Sequence, residues 1–166
     1  VAGYLRDKMG IIPAIVDCPA ENIDIKDIKN IIDKYDPDIV GLSVLTFNLL
    51  DCLEVARRIK KIKRDIKICF GGFHPTLYPK ETLNFESVDF VVVGEGEKPF
   101  TQLIDRLTKD KNCNDLQDIS GIGWKDTSGK INLNAPGEVT PNLDVLGLPA
   151  HDLIDLSKYS HALSNE

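Results

Sequence analysis

The fold is decided by the stretch IVGLSV at residues 39–44, which is apolar at almost every position. A strand with one solvent-exposed face would carry polar residues at every second position. A continuous apolar run instead indicates a strand that is covered on both faces, as in a parallel sheet with helices on each side. The stretch therefore predicts a strand of an α/β domain.

Helical patterns flank this strand in the sequence. Upstream, Asp24 can cap a helix whose isoleucines recur at helical spacing, and Asp36-Pro37 ends that helix. Downstream, Asn48 can cap a second amphipathic helix. The later predicted elements alternate in the same way: strands at 66–70 and 88–93, a short helix near 79–84, and a helix that starts at Pro99. This alternation predicts a three-layer sheet of parallel strands with right-handed crossovers.

The two ends of the chain depart from this alternation. Near the start, a helix is predicted to end at Gly10, and residues 11–16 are predicted to form a short strand. Beyond residue 110, two strand-like segments flank DTSG at residues 126–129, which predicts a β-hairpin. The stretch from residue 135 is rich in Pro and Gly and is predicted to be a linker. Because there is no initiator Met, we expect the chain to be part of a longer polypeptide.

Composition excludes several classes of protein. The chain has 166 residues, of which 42% are hydrophobic and 28% charged, as in ordinary globular domains. No apolar run approaches the roughly 20 residues that span a bilayer, and a net charge of −6 argues against general nucleic-acid binding. The four cysteines, at positions 18, 52, 69 and 113, form no CxxC pair. We expect them to be reduced and structural, in a cytoplasmic protein.

Polar or small residues follow each of three predicted strands. They are SVLTFN at residues 43–48, GGFHPT at 71–76 and GEGE at 94–97. Because ligands of parallel sheets bind outside the carboxyl ends of the strands, the three loops predict a site at one edge. Each loop also has a simpler interpretation, since glycines after a strand often serve tight turns and Glu97 can favour a helix start.

Motifs of common catalysts are missing from the sequence. There is no GxGxxG fingerprint, phosphate-binding loop, GxSxG elbow or HExxH metal motif. The residues by themselves therefore favour a binding domain over a catalyst. A cofactor-free interaction or regulatory domain stays open as an alternative. So does an enzyme acting on a nucleotide or sugar through Glu95 or Glu97.

A family resemblance accompanies these motifs. GGFHPT and the later stretch DFVVVGEGE at residues 89–97 strongly resemble the N-terminal cobalamin-binding domain of B12-dependent radical SAM proteins. AGYLR at residues 2–6 looks like the first helix of that domain, and DPDIVGLS at 36–43 like the approach to its third strand.

The resemblance implies a flavodoxin-like, Rossmann-like fold with strand order 2-1-3-4-5 and cobalamin across its carboxyl edge. Ser43 would hydrogen-bond the nucleotide tail of the cofactor, and the glycine pair would make room for that tail. The expected cofactor-binding residues are Ser43, Leu45, Thr46, Gly71, Gly72, His74, Gly94, Glu95 and Gly96. No catalytic residue and no metal ligand is expected in this chain.

Two departures from the family pattern matter. Many cobalamin domains carry DxHxxG after their first strand, and the CxxxCxxC of radical SAM domains holds an iron–sulfur cluster; neither is present here. We therefore expect residues 1–112 to be an N-terminally truncated cobalamin-binding domain and 113–166 a connector towards a radical SAM domain in the same polypeptide. That parent, a methyltransferase or related enzyme, would also use S-adenosylmethionine and a [4Fe-4S] cluster.

The absent first strand leads to a structural expectation. In the order 2-1-3-4-5 it would lie at the centre of the sheet. The 11–16 strand should therefore pair directly with the 39–44 strand, or a partner chain should fill the gap. If neither occurs, residues 11–16 should be displaced or poorly ordered.

Overall fold

The computed structural model describes residues 1–113, 115–137 and 139–159. Within these ranges the helices are α1 (Ala2–Met9), α2 (Ile28–Tyr35), α3 (Leu49–Ile62), α4 (Phe73–Leu77), α5 (Pro79–Leu83) and α6 (Glu97–Lys109). The strands are β1 (Ile39–Ser43), β2 (Lys67–Gly71), β3 (Phe90–Val92), β4 (Ile122–Lys125) and β5 (Ile131–Leu133). Short 3₁₀ turns precede α2 and α3 and recur after residue 142.

The five strands form one mixed sheet in the order β1-β2-β3-β4-β5. The first three are parallel, with Ser43 of β1 opposite Gly71 of β2. The predicted hairpin forms as β4 and β5, and it extends the same sheet antiparallel to β3. Trp124 of β4 is buried beside the α/β core, so the hairpin is built into that core. The predicted α/β fold is confirmed.

Helices cover both faces of the sheet. On one face, α2 and α3 pack on alternate strand residues, among them Ile68, Phe70 and Val91. On the other face, α6 packs on Cys69, Phe90 and Val92, and α1 lies against α6. Successive residues of β2 and β3 thus enter opposite cores, which explains their largely apolar sequences. The edge strand β1 has no fully buried residue, and Gly41 and Ser43 are exposed, so the predicted cover on both of its faces is incomplete.

The predicted strand at residues 11–16 is wrong. These residues run without regular secondary structure, and β1 pairs only with β2 among the described strands. Extended chain becomes a strand only when its backbone groups bond to a neighbour, and residues 11–16 do not pair with the open edge of β1. Residues 11–16 therefore lie outside the sheet, without the direct pairing to β1 that we expected.

The segment after the hairpin lies against α1. A Cβ on Gly3 would come within 2.3 Å of the Leu148 carbonyl oxygen, so the two backbones touch. Arg6 of α1 pairs with Asp152 at 2.6 Å, and Ala150 is buried. Residues 147–152 are therefore packed on the domain rather than extended away from it.

Candidate functional site

The loops after β1, β2 and β3 meet at one edge of the sheet. The backbone N–H of His74, in the second loop, donates to the Val44 carbonyl in the first at 3.1 Å. The backbone N–H of Gly94, in the third loop, donates to the Thr76 hydroxyl in the second at 3.0 Å. The predicted convergence of the three loops therefore has a direct physical basis in hydrogen bonds between them.

Two of the predicted site residues contact each other. His74 is only 8% exposed, and its Nδ1 lies 3.2 Å from the hydroxyl oxygen of the exposed Thr46. A buried imidazole nitrogen needs such a partner, because an unpaired polar group in the interior is destabilising. The buried His74 therefore links the second loop to the first from the interior of the domain, while Thr46 is exposed to solvent.

The glycines of the site differ in what surrounds them. Gly72 has φ 103° and ψ −167°, a region that almost only glycine adopts, and a Cβ there would lie 2.8 Å from the Val44 oxygen. At Gly71 the nearest atom to a Cβ would be 4.0 Å away, on Val92, and at Gly94 nothing lies within 4 Å. Gly72 is thus required by the local backbone conformation, whereas Gly71 and Gly94 leave open space.

On the α6 face at this edge runs a strip in which the sheet itself carries only small residues, namely Gly41, Ser43 and Gly71. Ser43 and Gly41 share that face because they are two residues apart, and a Cβ on Gly41 would lie 3.3 Å from the Phe100 ring of α6. Gly71 lies opposite Ser43 on the same face. Sequence reasoning did not select Gly41 and Phe100 as site residues. The two-residue period back from Ser43 was the signal that would have found Gly41.

Large apolar side chains surround the same loops and are exposed to solvent. Phe47 is 84% exposed, Leu50 77%, Phe73 74% and Leu77 66%. They belong to the loop after β1, the start of α3, and α4, all at the carboxyl edge. Apolar side chains clustered in this way indicate a surface that binds a ligand or another domain.

The remaining predicted residues have structural partners. The Leu45 N–H donates to the Asn48 side chain at 2.8 Å, which starts the turn into α3. Glu95 accepts the backbone N–H of Thr140 at 3.0 Å, so its carboxylate is tied to the segment after the hairpin. Hydrogen bonds from the Thr140 hydroxyl and backbone N–H lower the pKa of Glu95. Gly96 lies at the start of α6 against Val1.

Other features lie away from this edge or are absent from it. Two surface grooves lie at the amino ends of the parallel strands and are lined mainly by charged residues, including the paired Lys60 and Asp89. In the described ranges, no three His, Cys, Asp or Glu side chains are grouped so that they could hold a metal ion. None of the helices described there has the length and apolar character to cross a membrane.

Comparisons with known proteins identify the family of the chain. The family model for the B12 binding domain matches residues 1–104. An uncharacterized methyltransferase of Pyrococcus horikoshii is 36% identical over 96% of this chain and 34% of its own length. The anaerobic magnesium-protoporphyrin IX monomethyl ester cyclase of Rubrivivax gelatinosus is 25% identical over 100% of this chain and 30% of its own length.

Solved structures show the same fold. The cobalamin-dependent S-adenosylmethionine radical enzyme OxsB, with aqua-cobalamin and S-adenosylmethionine bound, superimposes with a TM-score of 0.69 and 25% identity, over 83% of this chain and 19% of that one. The radical S-adenosylmethionine methyltransferase TsrM from Kitasatospora setae, with cobalamin and a [4Fe-4S] cluster bound, shares the fold with a TM-score of 0.62 and 19% identity, over 85% of this chain and 26% of that one.

The chain spans about a third or less of the length of these relatives. The family match covers well over half of the chain and includes all three loops at the carboxyl edge. The chain belongs to the B12-binding domain family, in the form found in cobalamin-dependent radical SAM enzymes.

Proposed function

We propose that this chain holds cobalamin at the carboxyl edge of its sheet, as the B12 module of a radical SAM enzyme. The observation that carries the proposal is the strip on the α6 face, where Ser43 is exposed and no atom lies closer than 4.0 Å to the position of a Cβ on Gly71. A ligand that passes between a strand and a helix needs such a strip, because any larger side chain would occupy its path.

The residues of the edge fit cobalamin in chemistry and in space. The nucleotide tail would enter the strip, where the Ser43 hydroxyl can hydrogen-bond to it and Gly71 leaves room for it. The broad corrin ring would cover the exposed apolar side chains, of which Phe47 and Phe73 are the largest. Their coverage would remove a solvent-exposed apolar surface, which favours binding.

The predicted site residues divide into two groups under this proposal. Ser43, Thr46, Gly71 and Gly94 are exposed or leave open space, and they would touch the cofactor. The others act through the backbone or through a neighbour: Leu45, Gly72, His74, Glu95 and Gly96. His74 would hold Thr46 in place and would not itself approach the cobalt, because its imidazole is buried.

The proposal extends to the protein of which this domain would form part. Residues 1–112 would bind cobalamin, and residues 113–166 would connect them to a radical SAM domain in the same polypeptide, with S-adenosylmethionine and a [4Fe-4S] cluster. Cobalamin, S-adenosylmethionine and iron–sulfur clusters supply radical chemistry, while the protein supplies binding and orientation. Relatives named as methyltransferases favour methyl transfer or a related reaction. The proposal also includes a cytoplasmic location, which is supported by the four cysteines being free of disulfide bonds.

The test is a titration of the intact protein with hydroxocobalamin, followed by visible absorbance after removal of the free cofactor. Gly71→Val is the informative variant, because valine suits a strand and finds no close neighbour there, yet it fills the strip. We expect Gly71→Val to melt like the wild type and to lose cobalamin binding. Thr127→Val, at an exposed residue of the hairpin turn, should bind normally.

Two results would overturn the proposal. One is a wild-type protein that retains no cobalamin under conditions in which it is folded. The other is a Gly71→Val protein that binds as tightly as the wild type, since the strip would then not be the path of the tail.

A further inference from the structure

Thr76 in α4 bridges the second and third loops of the edge. Its hydroxyl donates to the Gly72 carbonyl at 2.8 Å, four residues back, and accepts the Gly94 N–H at 3.0 Å. Its own backbone N–H also donates to the Gly72 carbonyl, at 3.3 Å. A threonine that bonds back to its own helical turn is ordinary, but the second bond reaches a residue 18 positions away.

The two glycines that Thr76 joins border the proposed cofactor space. Gly72 sits against the backbone of Val44, so its position is set by the first loop. Gly94 follows the end of β3 and is exposed, and no atom lies within 4 Å of where its Cβ would be. The Thr76 hydroxyl therefore ties the exposed Gly94 of the third loop to a second loop whose position is set by the first.

We infer that Thr76 is a positioning residue that sets the distance between the Gly72 and Gly94 loops, and with it the width of the cobalamin slot. The effect on cobalamin binding rests on the proposed function. The two hydrogen bonds of Thr76 are present in the protein without ligand. Thr76 acts through Gly94 and does not touch the cofactor. A serine hydroxyl can make both bonds, whereas the isosteric valine can make neither.

The first measurement needs no cofactor. Amide hydrogen exchange of Gly94 is followed by NMR in the intact protein for the wild type, Thr76→Val and Thr76→Ser. We expect exchange at Gly94 to be on the order of tenfold faster in Thr76→Val and within twofold of wild type in Thr76→Ser, because one hydrogen bond is lost only in the former. Thr108→Val removes an exposed helical hydroxyl that bonds only to its own helix, and it should leave Gly94 unchanged.

The second measurement is the dissociation constant of hydroxocobalamin for the same proteins. Thr76→Val should bind on the order of tenfold more weakly, a change of about 1.4 kcal/mol. Thr76→Ser and Thr108→Val should bind within twofold of the wild type. Thr76→Ala, which also lacks the hydroxyl, replaces Thr76→Val if the valine variant does not fold.

The outcomes separate the two proposals. Unchanged exchange at Gly94 in Thr76→Val, or equal cobalamin affinity of Thr76→Val and wild type, overturns the positioning role and leaves cobalamin binding standing. Equal losses in Thr76→Ser and Thr76→Val also overturn it, because the methyl group rather than the hydroxyl would then matter. A wild type that does not bind cobalamin overturns the proposed function, while Gly94 exchange still tests the bridge.

Discussion

The hydroxyl oxygen of Thr46 lies 3.2 Å from Nδ1 of His74, although 28 positions separate the two residues. The pair joins the loop after β1 to the loop after β2 at the edge where the proposed cofactor binds. The His74 N–H to Val44 carbonyl bond, at 3.1 Å, supports the same junction. The His74 imidazole and the backbone bond between His74 and Val44 thus join the loops of two neighbouring strands into one junction.

Replacement of Thr46 by valine should destabilise the junction between the first and second loops. The variant leaves Nδ1 of the buried His74 without its partner, so we expect the free energy of unfolding to fall by about 1–2 kcal/mol. Cobalamin affinity should fall as well, because the first loop would lose its attachment. Chemical denaturation and cofactor titration measure the two effects. Thr127→Val, at an exposed residue of the hairpin turn, is the matched control, and equal stability of the two variants would contradict the expectation.

The adjacent glycines 71 and 72 should respond in opposite ways to alanine. Gly72→Ala forces a side chain into a conformation reserved for glycine and against the Val44 oxygen, so we expect a loss of about 1–3 kcal/mol in unfolding free energy. Gly71→Ala meets no close neighbour, and the smaller backbone freedom of alanine should raise stability by about 0.5 kcal/mol. Thermal melts of both variants check this, and similar losses in the two would show that the strip beside Gly71 is already filled.

The ion pair at the opposite edge should affect stability without affecting the cofactor. Asp89, at the start of β3, accepts the Ile68 N–H and the Lys60 ammonium, each at 2.6 Å. Because both side chains are mostly but not fully buried, we expect Asp89→Ala to cost about 1–2 kcal/mol of unfolding free energy. Asp65→Ala, at an exposed position nearby, should cost little. A change in cobalamin affinity for folded Asp89→Ala would place the site elsewhere.

Glu95 should make its hydrogen bond with Thr140 dependent on pH. The Thr140 hydroxyl and N–H hold the pKa of Glu95 below its ordinary value. A carboxylate with a lowered pKa in the folded protein contributes its contact above the unfolded pKa of about 4.3, and the contact is lost as the pH falls through the lowered folded value. The Thr140 amide shift in NMR spectra should therefore change over that acidic range. In Glu95→Gln, the glutamine amide oxygen can accept the same hydrogen bond but does not titrate, so the Thr140 amide shift should not change with pH. If the shift still changed with pH in this variant, another titrating group would be responsible.

The α/β fold and the edge that carries the site were predictable from the sequence. The continuous apolar run at residues 90–92 forms a strand buried on both faces, and parallel strands bring their following loops to one edge whatever the details of packing. Residues 39–43, predicted in the same way, form the edge strand β1, in which no residue is fully buried. The same reasoning predicted a strand at residues 11–16, because local apolar character is the same whether or not the segment pairs with a neighbouring strand. Strand formation requires that pairing, which depends on where the tertiary structure places the segment.

Only the tertiary structure separated the roles of the residues within the site. Gly71 and Gly72 are identical in the sequence, and they differ because one faces an open strip and the other touches the Val44 backbone. The partners of Thr46 and Glu95 lie 28 and 45 positions away. Periodic patterns report which side of an element is buried, but hydrogen bonds between loops depend on how turns from distant parts of the chain meet. That meeting is set by the packing of the whole domain.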